Sequence, residues 1–395
     1  MKKIYLVFLI VFKGLVLTAQ VPDKLLLQVF EAAYRSNPHK NVMLSPWGIQ
    51  QCFGMLISGG SKADAGQLDT VLGLNVQTRN ELRSARLSLQ KTQAEFNSFN
   101  AVLFDRKYIL KQQFIQDSTY FSGGKLYRLD LTRKEECAAA LNDIVKRESR
   151  NMFEHVFNPQ DLTGDPAMIL LNVLYFKDNW ASPFEKYLTE KEHFMIPDSS
   201  GFETVSPSMA DMMNNTMYVP YYNDGTIHGI ILDYADDRFK MLVLTPVKMP
   251  SSLKTVTGNL ARKGLQHFIR NSSDHNKTII KLPKLKLESR LDLKSLLSSV
   301  GLTSIFDSRQ GSLCMIQNSD AVYIDSARQV VKLSLDETGT EVAAVTIALP
   351  KAEAIRPQAV KYNKFYADHP FVLVLFDSQT QAILLTAAIV HPEEK

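Results

Sequence analysis

The stretch Val331–Phe371, VKLSLDETGTEVAAVTIALPKAEAIRPQAVKYNKFYADHPF, decides how this 395-residue chain is read. It opens as a strand, because Val331, Leu333 and Leu335 alternate with Lys332 and Ser334 at the period of two of a half-buried pleat. Asp336 to Thr340 carries turn residues, and Gly339 suits backbone conformations that side chains avoid. A long connection with Pro350 and Pro357 follows, before the next apolar run begins at Phe371; connections of that length in a compact domain are usually functional or disordered. Composition argues against disorder. Every second residue from Thr340 (Thr340, Val342, Ala344, Thr346, Ala348, Pro350) is uncharged and no larger than valine, whereas the opposite parity, from Glu341 to Lys351, holds every charge. Such a segment can enter a sheet as a strand, one face against a tight interior and the other toward water.

Glu337, Gly339, Thr340 and Glu341, with Ala343, Ala344 and Thr346 after them, resemble the hinge of the serpin superfamily, the base of an exposed bait loop that inserts into the central sheet after cleavage. Working outward, Ile169–Phe194 resembles a second family block: Asn172, Phe176, Lys177, Trp180, Phe184, Thr189 and Phe194 fall at the family spacing. Ile169–Phe176 is a nearly continuous apolar run, as for a strand buried on both faces, and Asn172 is its single polar member. A buried amide without partners costs about 1–3 kcal/mol, so Asn172 is expected to be a hydrogen-bond node. Asn41–Pro46 resembles the family's N-x-x-x-S-P entry to a helix beneath the sheet: Ser45 caps, Pro46 takes the first helical position, and Gly59 is expected to close the helix.

Further segments run in family order. These are the Ala101–Phe104 strand (AVLF, read over Asn100–Phe104), Leu141–Val145 with Ile144 where tryptophan is usual, and Met212, Met213 and Tyr218–Tyr222. Phe239–Pro246, Ile279–Leu287, Leu291–Leu293, Gly301–Phe306 and a C-terminal hairpin from His369-Pro370-Phe371 to Val390 complete the series, with Ala387 where glycine is common. Lys24–Arg35 reads as an amphipathic helix ended by Pro38. The resemblance implies an α+β serpin fold, about eight to nine helices around three β-sheets with an exposed reactive-centre loop at about residues 337–362. A single domain over residues 20–395 is expected, since no boundary, repeat or linker divides the chain.

Met1–Gln20 has Lys2 and Lys3, an apolar run from Ile4 to Phe12 and a second reaching Ala19, which together predict a signal peptide over residues 1–19 and a secreted, extracellular protein. Lys13 interrupts the run; the competing reading is a membrane anchor, which so short and charge-broken a segment suits poorly. Secretion would account for glycosylation sequons at Asn214, Asn271 and Asn276. Cys52, Cys137 and Cys314 form no metal-binding pair; one disulfide is arithmetically possible, and buried thiols are the competing reading. A net charge of +4 makes no case for nucleic acid, and no later segment is apolar enough to span a membrane. The eight histidines show no H-E-x-x-H spacing and there is no G-x-S-x-G elbow, so no hydrolase, cofactor or metal site is expected. His369 reads as packing at a strand start.

The resemblance implies a monomeric suicide-substrate inhibitor of a serine protease, with a carrier, storage or binding serpin as the alternative. Counting from Glu337 puts the scissile bond at Glu353-Ala354; Lys351-Ala352 and Arg356 are the alternatives. The basic stretch Arg79–Phe96, with Arg79, Arg83, Arg86 and Lys91, admits glycosaminoglycan binding, against the alternative of a solvated face interleaved with Glu81 and Glu95. Four positions depart from the family pattern: Thr338 stands for a second glutamate, Val342 for a small alanine, Gln329 for a hydrogen-bonding histidine and Gly48 for a serine. Ser45, Asn172 and Gln329 are expected to share one core network, since glutamine can both donate and accept.

Overall fold

Helix α1 (Asp23–Ser36) turns Leu26, Leu27, Val29, Phe30, Ala33 and Tyr34 into the core, the spacing of one helical face, and ends two residues before Pro38. The computed structural model to which it belongs describes residues 23–149, 151, 153–162, 168–198, 201–248, 252–272, 276–307, 309, 313–317, 322–340 and 362–392. The expected leader, hinge residues Glu341, Val342, Ala343, Ala344 and Thr346, and the candidate bond residues Lys351, Ala352, Glu353, Ala354 and Arg356 lie outside them. Eight more helices are described: α2 (Pro46–Gly54), α3 (Lys62–Leu72), α4 (Val76–Leu89), α5 (Gln112–Ser122), α6 (Lys134–Glu148), α7 (Lys254–Lys263), α8 (Leu265–Asn271) and α9 (Leu293–Ser299).

The central sheet contains β2 (Glu95–Asp105), β3 (Lys125–Leu129), β4 (Met168–Asn179), β11 (Leu285–Asp292), β12 (Ser326–Leu335) and β13 (Gly339–Thr340), in the order β11-β12-β13-β4-β2-β3. A second six-stranded sheet orders β1 (Val42–Leu44), β16 (Ile383–Ile389), β15 (Phe371–Asp377), β9 (Phe239–Pro246), β8 (Ile227–Asp233) and β7 (Tyr221–Asn223). The third sheet has β14 (Asn363–Tyr366), β10 (Lys277–Pro283), β6 (Gly201–Tyr218) and β5 (Glu190–Asp198). This is the expected α+β architecture: nine helices and three sheets among the described residues.

Alternation along β4 explains its unbroken apolar sequence. Met168, Leu170, Leu174 and Phe176 enter the main core, whereas Ile169, Leu171 and Val173 enter a second core closed by Cys137, Ala138, Leu141, Ile144 and Val145 of α6. The C-terminal hairpin β15–β16 is buried throughout, and at its turn Arg238 Nε donates to Asp377 Oδ1 at 2.7 Å in a buried ion pair.

Three sequence expectations need correction. The helix capped by Ser45 ends at Gly54, and the chain continues in hydrogen-bonded turns in which Gly59 N and Gly60 N both donate to Leu56 O. Gly59 is kept small by Met315, whose Cε would lie 2.7 Å from an added Cβ. The basic helix spans Val76–Leu89, and Glu95 and Phe96 belong to β2 instead. That strand starts five residues earlier than its apolar pattern suggests, because Glu95 and Phe96 pair with Lys177 and Phe176 at the end of β4; sheet pairing overrides local polarity there.

Candidate functional site

The site lies where β12 and β4 meet. Their pairing is parallel and runs from Ser326 opposite Ile169 to Val331 opposite Leu174. Beyond it the chain leaves β12, turns through Asp336–Thr338 and returns as β13 between the two strands. Thr340 then pairs antiparallel with Leu335 on one side and with Asp178 on the other, and Gly339 pairs with Asn179. The turn is tightly bound. Asp336 Oδ1 accepts from Thr338 N at 2.8 Å, Asp336 N donates to Gly339 O at 2.9 Å, and Trp180 N and Phe184 N donate to Thr338 O and Glu337 O at 2.8 and 2.7 Å. The Trp180 indole donates to Asp336 O at 3.0 Å.

Glycine at 339 is required by close approach. Its φ is not in the left-handed region, contrary to the sequence reading, but a Cβ there would lie 2.2 Å from Asp178 O and 2.6 Å from Asn179 Cα. Thr340 is buried, and its hydroxyl lies 2.7 Å from that of Tyr234, which stacks on Trp180 at 4.5 Å between ring centroids. Burial raises the Tyr234 phenol well above its usual value, so it stays protonated and can donate. The Glu337 carboxylate is buried and receives Thr189 Oγ1 at 2.9 Å and Lys284 Nζ at 3.0 Å. Burial raises its pKa, but the backbone N–H, Lys284 and Thr189 outweigh that and hold it below the usual carboxylate value.

Below this turn, one polar network crosses the β4–β12 junction. Gln329 Nε2 donates to Asn172 Oδ1 at 2.7 Å and to Ser45 O at 2.9 Å, while Gln329 Oε1 accepts from Ser45 N at 2.8 Å. Asn172 Nδ2 donates to Asn100 Oδ1 at 2.7 Å and Phe99 O at 3.3 Å, extending the network into β2. Ser45 Oγ donates to Leu384 O at 2.7 Å and accepts from Gly48 N at 2.9 Å, so it caps α2 while touching β16. Ser45, Asn172 and Gln329 are each 0% exposed. The departure at Gly48 belongs to the same arrangement, since a Cβ there would lie 2.2 Å from Asn172 Oδ1.

Structure thus brings together the expected hinge residues Glu337, Gly339 and Thr340 at the turn into β13, and Ser45, Asn172 and Gln329 in the network. Sequence reasoning missed Asn100, Tyr234 and Lys284. Asn100 left a trace, a polar residue opening an apolar strand, whereas Tyr234 and Lys284 are reached only through tertiary contacts.

Other candidates lie apart. Asn214 sits within β6 and its amide already donates to Leu188 O at 2.9 Å and Met212 O at 3.1 Å. Asn271, at the end of α8, donates to His267 O at 2.7 Å, and Asn276 is exposed before β10. The arginines of α4 do not form the solvated face that sequence polarity suggests. Arg79 lies 3.6 Å over the Phe121 ring and Arg83 4.0 Å over Tyr120 of α5, and Arg86 donates to Tyr120 O at 3.2 Å. Burial lowers the pKa of Arg79, with Asp117 opposing, and that of Arg86, with Arg83 adding to the effect. Cys52 and Cys137 are buried and Cys314 is exposed, so the buried-thiol reading holds for two of the three. His369 is buried ahead of β15 against Thr245 and Pro246, and no helix among the described residues is long and apolar enough to cross a membrane.

Comparisons with known proteins bear on the family and the fold. The family profile described as Serpin (serine protease inhibitor) matches residues 21–392. Glia-derived nexin of Mus musculus is 25% identical over 372 residues, 93% of this chain and 91% of that protein. The crystal structure of native protease nexin-1 with heparin superposes with a TM-score of 0.81 at 22% identity, covering 95% of this chain and 99% of that one. Human thyroxine-binding globulin superposes at 0.83 with 20% identity, again over 95% and 99% of the two chains. At these identities the structural likenesses show the fold alone.

Proposed function

Because the chain belongs to the serpin family, whose profile spans residues 21–392, we propose that it is a secreted inhibitor attacked as a substrate by a serine protease, which it traps by loop insertion. The protease serine oxygen would bond to the carbonyl carbon of Glu353, the bond to Ala354 would break, and the new amine would leave with its proton. Insertion must then outrun hydrolysis of the acyl-enzyme.

The seat and direction of β13 carry this reading. A strand continuing from Thr340 would run antiparallel to both β4 and β12, between them. To go further it must part the six register pairs from Ser326–Ile169 to Val331–Leu174, together with the Gln329–Asn172 hydrogen bond. In return it gains ladders on two sides. About a dozen added hydrogen bonds at roughly 1 kcal/mol each contribute on the order of 10 kcal/mol, comparable with the whole stability of an ordinary domain. The uncleaved molecule is therefore metastable and each molecule acts once.

Thr340 faces the interior at Tyr234, so in an inserted strand continuing from it, alternation would aim Val342, Ala344 and Thr346 the same way. All are small and uncharged; Val342 adds bulk early and slows insertion without stopping it. A sulfated glycosaminoglycan would meet Arg79, Arg83 and Arg86 with part of each guanidinium already committed to α5.

Incubation with trypsin-, chymotrypsin- and elastase-like proteases tests the reading on a denaturing gel. A protease–serpin band that survives denaturation is expected, with the released C-terminal fragment beginning at Ala354 by mass spectrometry. Cleavage without such a band for every enzyme would assign the chain to the non-inhibitory serpins, as a carrier, storage or binding protein.

A further inference from the structure

Strand β14 follows the loop segment and lies at the edge of its sheet, held by four parallel register pairs to β10, from Thr278 opposite Asn363 to Lys281 opposite Tyr366. Its buried side chain is Phe365, 0% exposed, whose ring centroid lies 5.1 Å from that of His228. His228 sits in β8 between Asn223 of β7 and Thr245 of β9. Its Nδ1 lies 3.5 Å from the hydroxyl of Tyr221, which also donates to Lys364 O at 3.5 Å. Nε2 of His228 is buried without a hydrogen-bond partner.

The neighbouring histidine is provided for differently. His369 Nδ1 lies 2.6 Å from Asp368 Oδ1, and its Nε2 lies 2.8 Å from Thr245 Oγ1 and 3.0 Å from Pro246 O. Both ring nitrogens of His369 therefore face oxygen atoms. The titratable groups around His228 are Tyr221 from β7 and Asp368 and His369 from the lead-in to β15; Thr245 of β9 is neutral, and Lys364 alternates with Phe365 along β14.

We propose that His228 is an acid-sensitive latch on β14: a proton on its ring finds no acceptor at the buried Nε2 and is accommodated by displacing Phe365, so acid frees the strand that anchors the C-terminal side of the loop. This rests on the fold and not on the inhibitory reading. Burial first, and then His369, lower the His228 pKa from 6.5 to about 4, with Asp368 opposing. With β14 released, the ring returns to water and toward its ordinary value. The closed state therefore binds the proton more weakly, its advantage is complete above the open-state value of 6.5, and it falls as the pH drops from there to about 4. Linkage between those two values makes opening about tenfold more favourable at pH 5.5 and about 60-fold at pH 4.5 than at neutral pH.

Amide hydrogen exchange on the intact full-length protein, corrected for the pH dependence of intrinsic exchange, tests this. Protection across Asn363–Tyr366 should fall about tenfold between pH 7.5 and 5.5, while β15 and β16 keep theirs. His228→Phe, or His228→Gln if the phenylalanine variant does not fold, should abolish the fall, and His369→Gln should retain it. No fall in the native sequence, an equal fall in both His228 variants, or loss of the fall in His369→Gln would overturn the proposal.

Discussion

Gln329 makes three buried hydrogen bonds with one amide, two to the Ser45 backbone and one to Asn172. An isosteric apolar side chain would orphan Ser45 N–H and Asn172 Oδ1 together. Gln329→Leu should therefore lower stability by about 2–4 kcal/mol, seen as a lower urea midpoint at unchanged slope. A loss under about 0.5 kcal/mol would mean that water or a rearranged Asn172 restores both bonds. How these residues were legible differs. Asn172 announces itself as the one amide in an apolar run. Gln329 follows Arg328 in a strand where nothing local names its partner, and only a family pattern points to it. Gly48 reads only as a departure from the family's serine, and its missing Cβ is the space Asn172 occupies.

At the scale of elements, β13 decides the behaviour of the loop. Two residues lie between β12 and β4, so on the proposed reading an inserting strand would continue from Thr340 into the β4–β12 junction, and the Tyr234–Thr340 hydrogen bond sets which parity it would turn inward. Thr340→Arg places a long cation against the Tyr234–Trp180 stack, where burying the charge is costly. The variant should still be cleaved but should form at least about tenfold less trapped complex per cleavage, because insertion slows while hydrolysis does not. An unchanged yield would show that the seat of Thr340 beside Tyr234 does not govern insertion of the residues that follow. The elements read best from sequence were those whose own pattern matches their burial: α1, β4, β9 and the β15–β16 pair. Others were set by partners distant in the chain. The polar start of β2 is held by the end of β4, β6 borders β5 along one edge and β10 along the other, and the arginines of α4 find their ring partners on α5.

For the whole molecule the account is one of stored free energy. The central sheet is closed where β4 and β12 pair, and beyond Val331 and Leu174 the two strands part to admit the two residues of β13. On the proposed reading, the excess free energy appears only on comparison with the same chain after the loop has entered. The direct measurement is the melting temperature of the intact protein against that of the protein nicked in the loop near Glu353 and kept as one non-covalent molecule. A gain on the order of 10 kcal/mol across a chain of this size corresponds to a rise of at least about 10 °C. A nicked protein that melts at or below the temperature of the intact one would contradict insertion, and with it the inhibitory mechanism.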